Sequence, residues 1–173
     1  GAAGAWNLGI RYAFENGAEA VFVCGNDAIP VNGAIERLVR RIEDGCGFVT
    51  GTATPIDSVE PDGASGDALF DDADFTAFAI SSDLHAALVA YESARAPVTL
   101  PSDTGLFDSR FHPAYNEDDD FLWRLRRASI PVFRDPGARF RHDASLAVRR
   151  TPELAAARVA MTRRNAAFFE SKW

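Results

Sequence analysis

The chain has almost no lysine. Lys172 is the single one, and arginine supplies the other 17 of 18 basic residues. Basic residues are also outnumbered, 18 against 25 acidic ones, for a net charge of −7 and an isoelectric point near 4.9. A surface of that sign does not coat nucleic acid, which demands arginine and lysine against phosphate. It leaves room for a small phosphate ligand held through a metal. Cysteine is scarce too. Cys24 and Cys46 stand 22 positions apart with no CxxC and no histidine nearby, so neither a zinc site nor a disulfide framework is expected. A reducing compartment, the cytoplasm, is the expected setting. No apolar run approaches the ~20 residues of a membrane-spanning helix. The opening residues, Gly1-Ala2-Ala3-Gly4-Ala5-Trp6, have no basic stretch leading into an apolar one, so no signal peptide is expected there. Nor do they follow a strand or read G-x-G-x-x-G, which disfavours a dinucleotide-binding dehydrogenase. There is no internal repeat.

What is present is ordinary globular chemistry. The 173 residues are 47% hydrophobic, 11% aromatic and 25% charged, enough for one domain with a real core. Ala5 to Asn16 reads as a helix with apolar residues on two faces, one formed by Ala5, Leu8, Gly9, Tyr12 and Ala13 and the other by Trp6, Ile10 and Phe14. Both faces are therefore expected to be covered. Ala20 to Cys24 is a short continuous apolar run, the pattern of a fully buried parallel strand. A helix capped by Asn32 and ending at Gly45 follows, then a strand from Phe48 to Thr54. Residues 55–74 read as a loop and 76–80 as a strand. A helix capped by Ser82 or Asp83 comes next, and residues 93–108 are irregular. Residues 117–128 form a helix with acids at its start and Arg124, Arg126 and Arg127 at its end. Ile130 to Arg134 and Ala138 to Arg141 read as two short extended pieces. Thr151-Pro152-Glu153 starts a last helix running to about Ser171. Alternating strands and helices make an α/β domain.

Three points stand out chemically. Gly25-Asn26-Asp27 follows the apolar strand, where α/β sheets hold ligands and where a carboxylate can bind a hard divalent cation. The same residues also suit a plain turn. Glu117-Asp118-Asp119-Asp120 is a run of four carboxylates. Either the run simply complements a helix N-terminus, or one member serves as a general base tuned by its neighbours. His142 follows a short extended piece in polar company, as a structural side chain or a ligand.

The order and spacing of these three resemble the later two-thirds of an inverting family 2 glycosyltransferase with the GT-A fold. Gly4-Ala5-Trp6-Asn7-Leu8-Gly9-Ile10 resembles that family's Gly-x-x-Asn-x-Gly-Ile helix start. Val21 to Pro30 resembles the strand leading into its DxD-type motif, with Gly25 in place of the first Asp and Asp27 kept. Phe107-Asp108-Ser109-Arg110-Phe111 and then Glu117-Asp118-Asp119-Asp120-Phe121-Leu122-Trp123-Arg124 resemble its "FDE-x-F … ED-x-D-x-x-x-R" pattern. Arg139-Phe140-Arg141-His142 resembles its late metal-binding histidine segment. Arg164-Asn165 matches a pair common in rhamnosyl- and galactofuranosyl-type members.

The resemblance implies a GT-A-like, mostly parallel mixed sheet flanked by helices, with the N-terminal nucleotide-binding βα units, roughly 70 to 90 residues, absent from this chain. The strand at Val21 would then expose an edge that an N-terminal fragment or a second chain completes. It implies transfer of a sugar from a nucleotide-diphosphate donor to a glycan, protein or other hydroxyl acceptor. Mn²⁺ or Mg²⁺ would be held by Asp27 and His142. Asn7, Asn26 and Asp27 would contact the donor. Asp118 would be the base with Glu117 beside it, and Trp123 and Tyr115 would meet the acceptor. Residues 55–74 and 93–108 would be lids or acceptor loops. The alternatives are a non-catalytic remnant or split subunit of the same fold, and a nucleotidyltransferase.

Overall fold

The punctuation in the sequence sets most of the elements. The computed structural model describes residues 1–56, 71–94, 105–142 and 152–173. Helix α1 (Ala2–Glu15) ends at Asn16, and the left-handed Gly17 turns the chain into β1 (Ala20–Cys24). A two-residue strand β2 (Ile29–Pro30) precedes α2 (Ala34–Glu43). Gly33, with φ 79°, takes the cap position expected of Asn32, because only its left-handed backbone makes the turn there. Strand β3 is Phe48–Thr54 and β4 is Ala77–Ser81. Helix α3 (Ser82–Ser93) is capped one residue earlier than the sequence suggests, by Ser81 Oγ accepting from the Leu84 N–H at 3.1 Å. Helix α4 (Glu117–Arg127), strand β5 (Phe133–Arg141) and helix α5 (Pro152–Lys172) complete the described chain.

The five strands form one mixed sheet in the order β1-β4-β3-β5-β2. The expectation of a mostly parallel sheet is corrected here. Three of the four pairings, β1–β4, β3–β4 and β2–β5, are antiparallel, and only β3–β5 is parallel. The reason lies in how the chain returns. Helix α2 carries it from β1 to β3 in the same direction, and β3 and β5 also share that direction. Strand β4 runs the opposite way between β1 and β3, so its two pairings are antiparallel. The reading of β1 as a fully buried parallel strand is also corrected. β1 is an edge strand with all five residues half-buried. Its apolar sequence meets β4 on one side, and no described strand lies on the other.

Strand alternation divides the core in two. On one face Phe48, Phe78 and Ile80 pack with Ile10 of α1, Leu84 and Leu88 of α3, and Phe121 and Leu125 of α4. Aromatic rings dominate there, with Phe107 and Phe121 centroids 4.6 Å apart and Trp6 edge-on to Phe107 at 4.9 Å. On the other face Val49, Ala77, Ala79 and Phe140 pack under Ala34 and Leu38 of α2. Helix α1 covers the core with one face only. Trp6, Ile10 and Phe14 pack inward, while Leu8 and Tyr12 are exposed, which corrects the expectation of burial on two sides. The two extended pieces around residue 135 are a single strand. Asp135-Pro136-Gly137 interrupts the pairing as a bulge, because proline offers no N–H to the ladder. Asp135 is fully buried there, and Arg37 and Arg41 of α2 bond it at 2.9 and 2.8 Å.

Where β3 runs beside the bulge in β5, Gly51 leaves no room. A Cβ at this position would lie 2.5 Å from the Phe140 ring and 2.8 Å from the Ala138 carbonyl. Gly51→Ala should therefore destabilise the chain by about 1–3 kcal/mol through overpacking. Thermal unfolding checks this, and an unchanged midpoint would mean that β3 and β5 separate easily.

No described helix is long and apolar enough to cross a membrane. Residues 57–70, 95–104 and 143–151 lie outside the described residues, and with them most of the stretches read as lids or acceptor loops.

Candidate functional site

The ends of three strands meet at one cleft. β1 ends at Cys24, and the turn that follows is closed by the Ala28 N–H on the Gly25 carbonyl at 3.1 Å. That turn places Asp27 at the cleft. Thr76 stands just before β4 and accepts the Gly25 N–H on its carbonyl at 2.9 Å. His142 follows β5, its N–H bonded to the Thr54 carbonyl at the end of β3 at 2.8 Å. Opposite these, residues 114–115 lead into α4. The cleft has a volume of about 380 Å³, and Asp27, Asp74, Thr76, Tyr115, Glu117, Asp118 and His142 are among its lining residues.

Asp27 and His142 are direct neighbours. Oδ2 of Asp27 lies 3.3 Å from Nε2 of His142. On the far side of the ring, Nδ1 pairs with the Thr76 hydroxyl at 3.2 Å. That contact fixes the ring's orientation and leaves Nε2 facing the carboxylate, as outer partners do for metal-binding histidines. Among the described residues no three His, Cys, Asp or Glu side chains gather as a metal cage. Ions such as Mg²⁺ take one or two protein carboxylates and complete their shell with phosphate and water. One imidazole nitrogen beside one well-exposed carboxylate fits Mn²⁺ or Mg²⁺ on those terms.

Glu117 and Asp118 occupy the first turn of α4, where free N–H groups and the helix dipole favour anions. Glu117 is nevertheless 4% exposed, and its Oε2 has no hydrogen-bond partner. Burial, with a contribution from the Asp118 charge, pushes its carboxyl up to about 7. Burial and the Asp119 charge also raise Asp118 above the usual carboxylate range. One buried carboxyl pushed up to about 7, beside a second raised above its ordinary value, suits proton transfer at physiological pH. The remaining acids of the run do other work. Asp119 accepts from Asn116 Nδ2 at 3.1 Å, and Asp120 is wholly buried against Arg124, Lys172 and Trp173.

Of the residues singled out from sequence, Asp27, His142, Glu117, Asp118 and Tyr115 therefore line one cleft. Asn26 is exposed on the same turn and is not among the lining residues. Trp123 lies elsewhere on α4, 41% exposed, against Phe169 and Trp173. Asn7 is committed to the fold. Its amide donates to the Phe107 carbonyl at 2.7 Å and accepts the Phe107 N–H at 2.9 Å. It lines a separate cleft of about 410 Å³ with Arg11, Glu15 and His85. Thr76 and Asp74 escape sequence reasoning. Thr76 acts on a histidine 66 positions away. Asp74 accepts the Ala53 and Thr76 N–H groups at 2.7 and 3.0 Å, and no local pattern marks it.

Compared with known protein families, characterised proteins and solved structures, the chain matches none.

Proposed function

We propose that the chain carries the chemistry of a metal-dependent inverting glycosyltransferase of the GT-A type, acting on a nucleotide-diphosphate sugar. The observation that carries this reading is the meeting of Asp27, Glu117, Asp118 and His142, from distant parts of the sequence, around one cleft. The shared direction of β1, β3 and β5 supports it, since their C-terminal ends are where such sheets bind phosphate ligands.

Asp27 and His142 would hold the divalent ion. When bound, that ion supplies Lewis-acid neutralisation of the charge that develops on the departing diphosphate. Asp118 takes the proton of the acceptor hydroxyl as its oxygen attacks the anomeric carbon. Direct attack opposite the leaving group inverts that centre. Glu117 is buried beside Asp118, while burial and the Asp119 charge raise the proton affinity of the base. Tyr115, with Arg158 5.3 Å above its ring, offers an aromatic edge to the acceptor.

The test is release of nucleoside diphosphate from a panel of donor sugars, with and without Mn²⁺. Metal-dependent release with an acceptor supports the reading. Mn²⁺ and nucleotide binding without release from any donor would favour the non-catalytic alternative. The metal claim has its own check. His142→Ala should weaken Mn²⁺ binding roughly tenfold or more, measured by water-proton relaxation with a nucleoside diphosphate present. Equal affinity in the variant would remove His142 from the ligand set.

A further inference from the structure

The segment that delivers Glu117 and Asp118 to the cleft is held from outside. Residues 112–115 present four carbonyls in succession, and each accepts an N–H from a distant part of the chain. Arg164 bonds the His112 carbonyl. The Ala2 backbone N–H bonds the Pro113 carbonyl at 2.9 Å. Nδ2 of Asn165 bonds both the Ala114 and Tyr115 carbonyls, at 2.8 and 2.9 Å. Asn165 is 1% exposed. Its Oδ1 accepts from Arg164 Nε and Nη2 at 3.2 and 3.0 Å, so the amide's orientation is fixed at both ends.

What these bonds hold is unfavourable by itself. Tyr115 and Asn116 are two consecutive non-glycine residues in the left-handed region, at φ 79° and 69°. Such a turn persists only when its surroundings over-determine it. Glu117 begins α4 directly after this turn. We propose that Asn165 is a positioning residue for the Glu117–Asp118 pair, its amide holding the left-handed turn that aims both carboxyl groups into the cleft. The inference rests on the reading of that cleft as the active site, but its geometry can be tested without transfer.

The competing role is purely structural, with Asn165 anchoring α5 and nothing more. The two differ at Glu117. The other charged groups lining its cleft are Asp27, Asp74, Asp118 and, when protonated, His142, and Asp119 adds to its own helix turn. Glu117 titrates near 7 because burial holds it there. If the turn relaxes, the carboxyl meets water and its titration falls towards the ordinary glutamate value. The experiment follows the side-chain carboxyl carbons of the glutamates by NMR titration of the whole chain. Four forms are compared: wild type, Asn165→Ala, the milder Arg164→Met, and Phe168→Leu. Phe168 packs its ring on Phe111 at 4.9 Å on the same helix and so reports loosened docking alone.

Asn165→Ala should lower the Glu117 midpoint by at least one pH unit, and Arg164→Met should lower it by less. Phe168→Leu should lower only thermal stability. If Asn165→Ala does not fold, Arg164→Met decides the matter. An unmoved Glu117 midpoint, or the same movement in Phe168→Leu, would overturn the positioning role even in a protein that transfers sugar. A moved midpoint in a protein that releases no nucleotide would leave the positioning role standing and remove the glycosyltransferase reading.

Discussion

Lys172→Met should cost the chain about 3 kcal/mol, the lower end of what breaking a buried ion pair costs. Lys172 is the only lysine in the sequence, and its side chain is 3% exposed. Its ammonium lies between Asp108, at 2.9 Å, and Asp120, and both carboxylates are fully buried. Methionine replaces most of the volume but none of the charge. Each aspartate keeps one arginine, Arg110 for Asp108 and Arg124 for Asp120, which is why the loss stays near the lower end. For a chain of this length the expected fall in midpoint is about 6–12 °C.

The pH dependence supplies a second check. Burial alone would push Asp108 up, but the hydrogen bonds from Arg110 and Lys172 bring it down to about 2. A carboxyl with a lowered folded value contributes stability that is present above its unfolded value of 3.8. That contribution is lost as pH falls towards 2. Without Lys172, Asp108 should bind a proton more readily. The gap between variant and wild type should therefore narrow as pH drops from 7 to 3. Thermal unfolding at those two values measures it. Curves that coincide at pH 7 would show that the ammonium contributes nothing at this position.

Little in the sequence pointed to that ion cluster. Lys172 stands 64 positions from Asp108 and 52 from Asp120, and no local pattern joins them. The elements themselves were legible where punctuation is strong. The bounds of β1 and β3 agree with the hydrophobic runs at 20–24 and 48–54. Asn16-Gly17, Gly45 and Pro152 mark real helix ends. Strand direction was not legible. An apolar run such as Ala20 to Cys24 has the same composition whether it is buried between parallel neighbours or lies at an antiparallel edge. From sequence, β5 reads as two short extended pieces, Ile130 to Arg134 and Ala138 to Arg141, on either side of the Asp135-Pro136-Gly137 bulge. The continuity depends on Asp135, whose charge is met by arginines 94 and 98 positions away. At the candidate site, Asp27, Glu117, Asp118 and His142 were visible by type and order. Asn7 was not distinguishable from a ligand contact, since an amide that bridges two backbone groups has the same sequence trace as one that meets a sugar.

If the chain transfers sugar as proposed, Asp118→Asn should reduce that transfer by roughly 10²–10⁴-fold, the usual contribution of a positioned general base. Mn²⁺ affinity and thermal midpoint should stay close to wild type. Amide replaces carboxylate at nearly constant volume, and Asp118 is only half-buried. Glu117→Gln separates the neighbour's part. Burial raises Glu117 from 4.5 to about 7. A group with a raised folded value favours the folded state fully below its unfolded value, and that advantage is lost as pH climbs through the folded one. Ionised Glu117 therefore burdens the fold above pH 7, by up to about 3 kcal/mol. Glu117→Gln should raise the midpoint at pH 8 and leave it unchanged at pH 4. Any shift in the pH profile of transfer should be small, because burial and the Asp119 charge, which raise Asp118, both stay in place. A carboxyl that destabilises its own protein at working pH is explained by function more readily than by packing. If Glu117→Gln instead weakened the fold at pH 8, Glu117 would be a stabilising charge with an undetected partner. The argument for proton chemistry in this cleft would then rest on Asp118 alone.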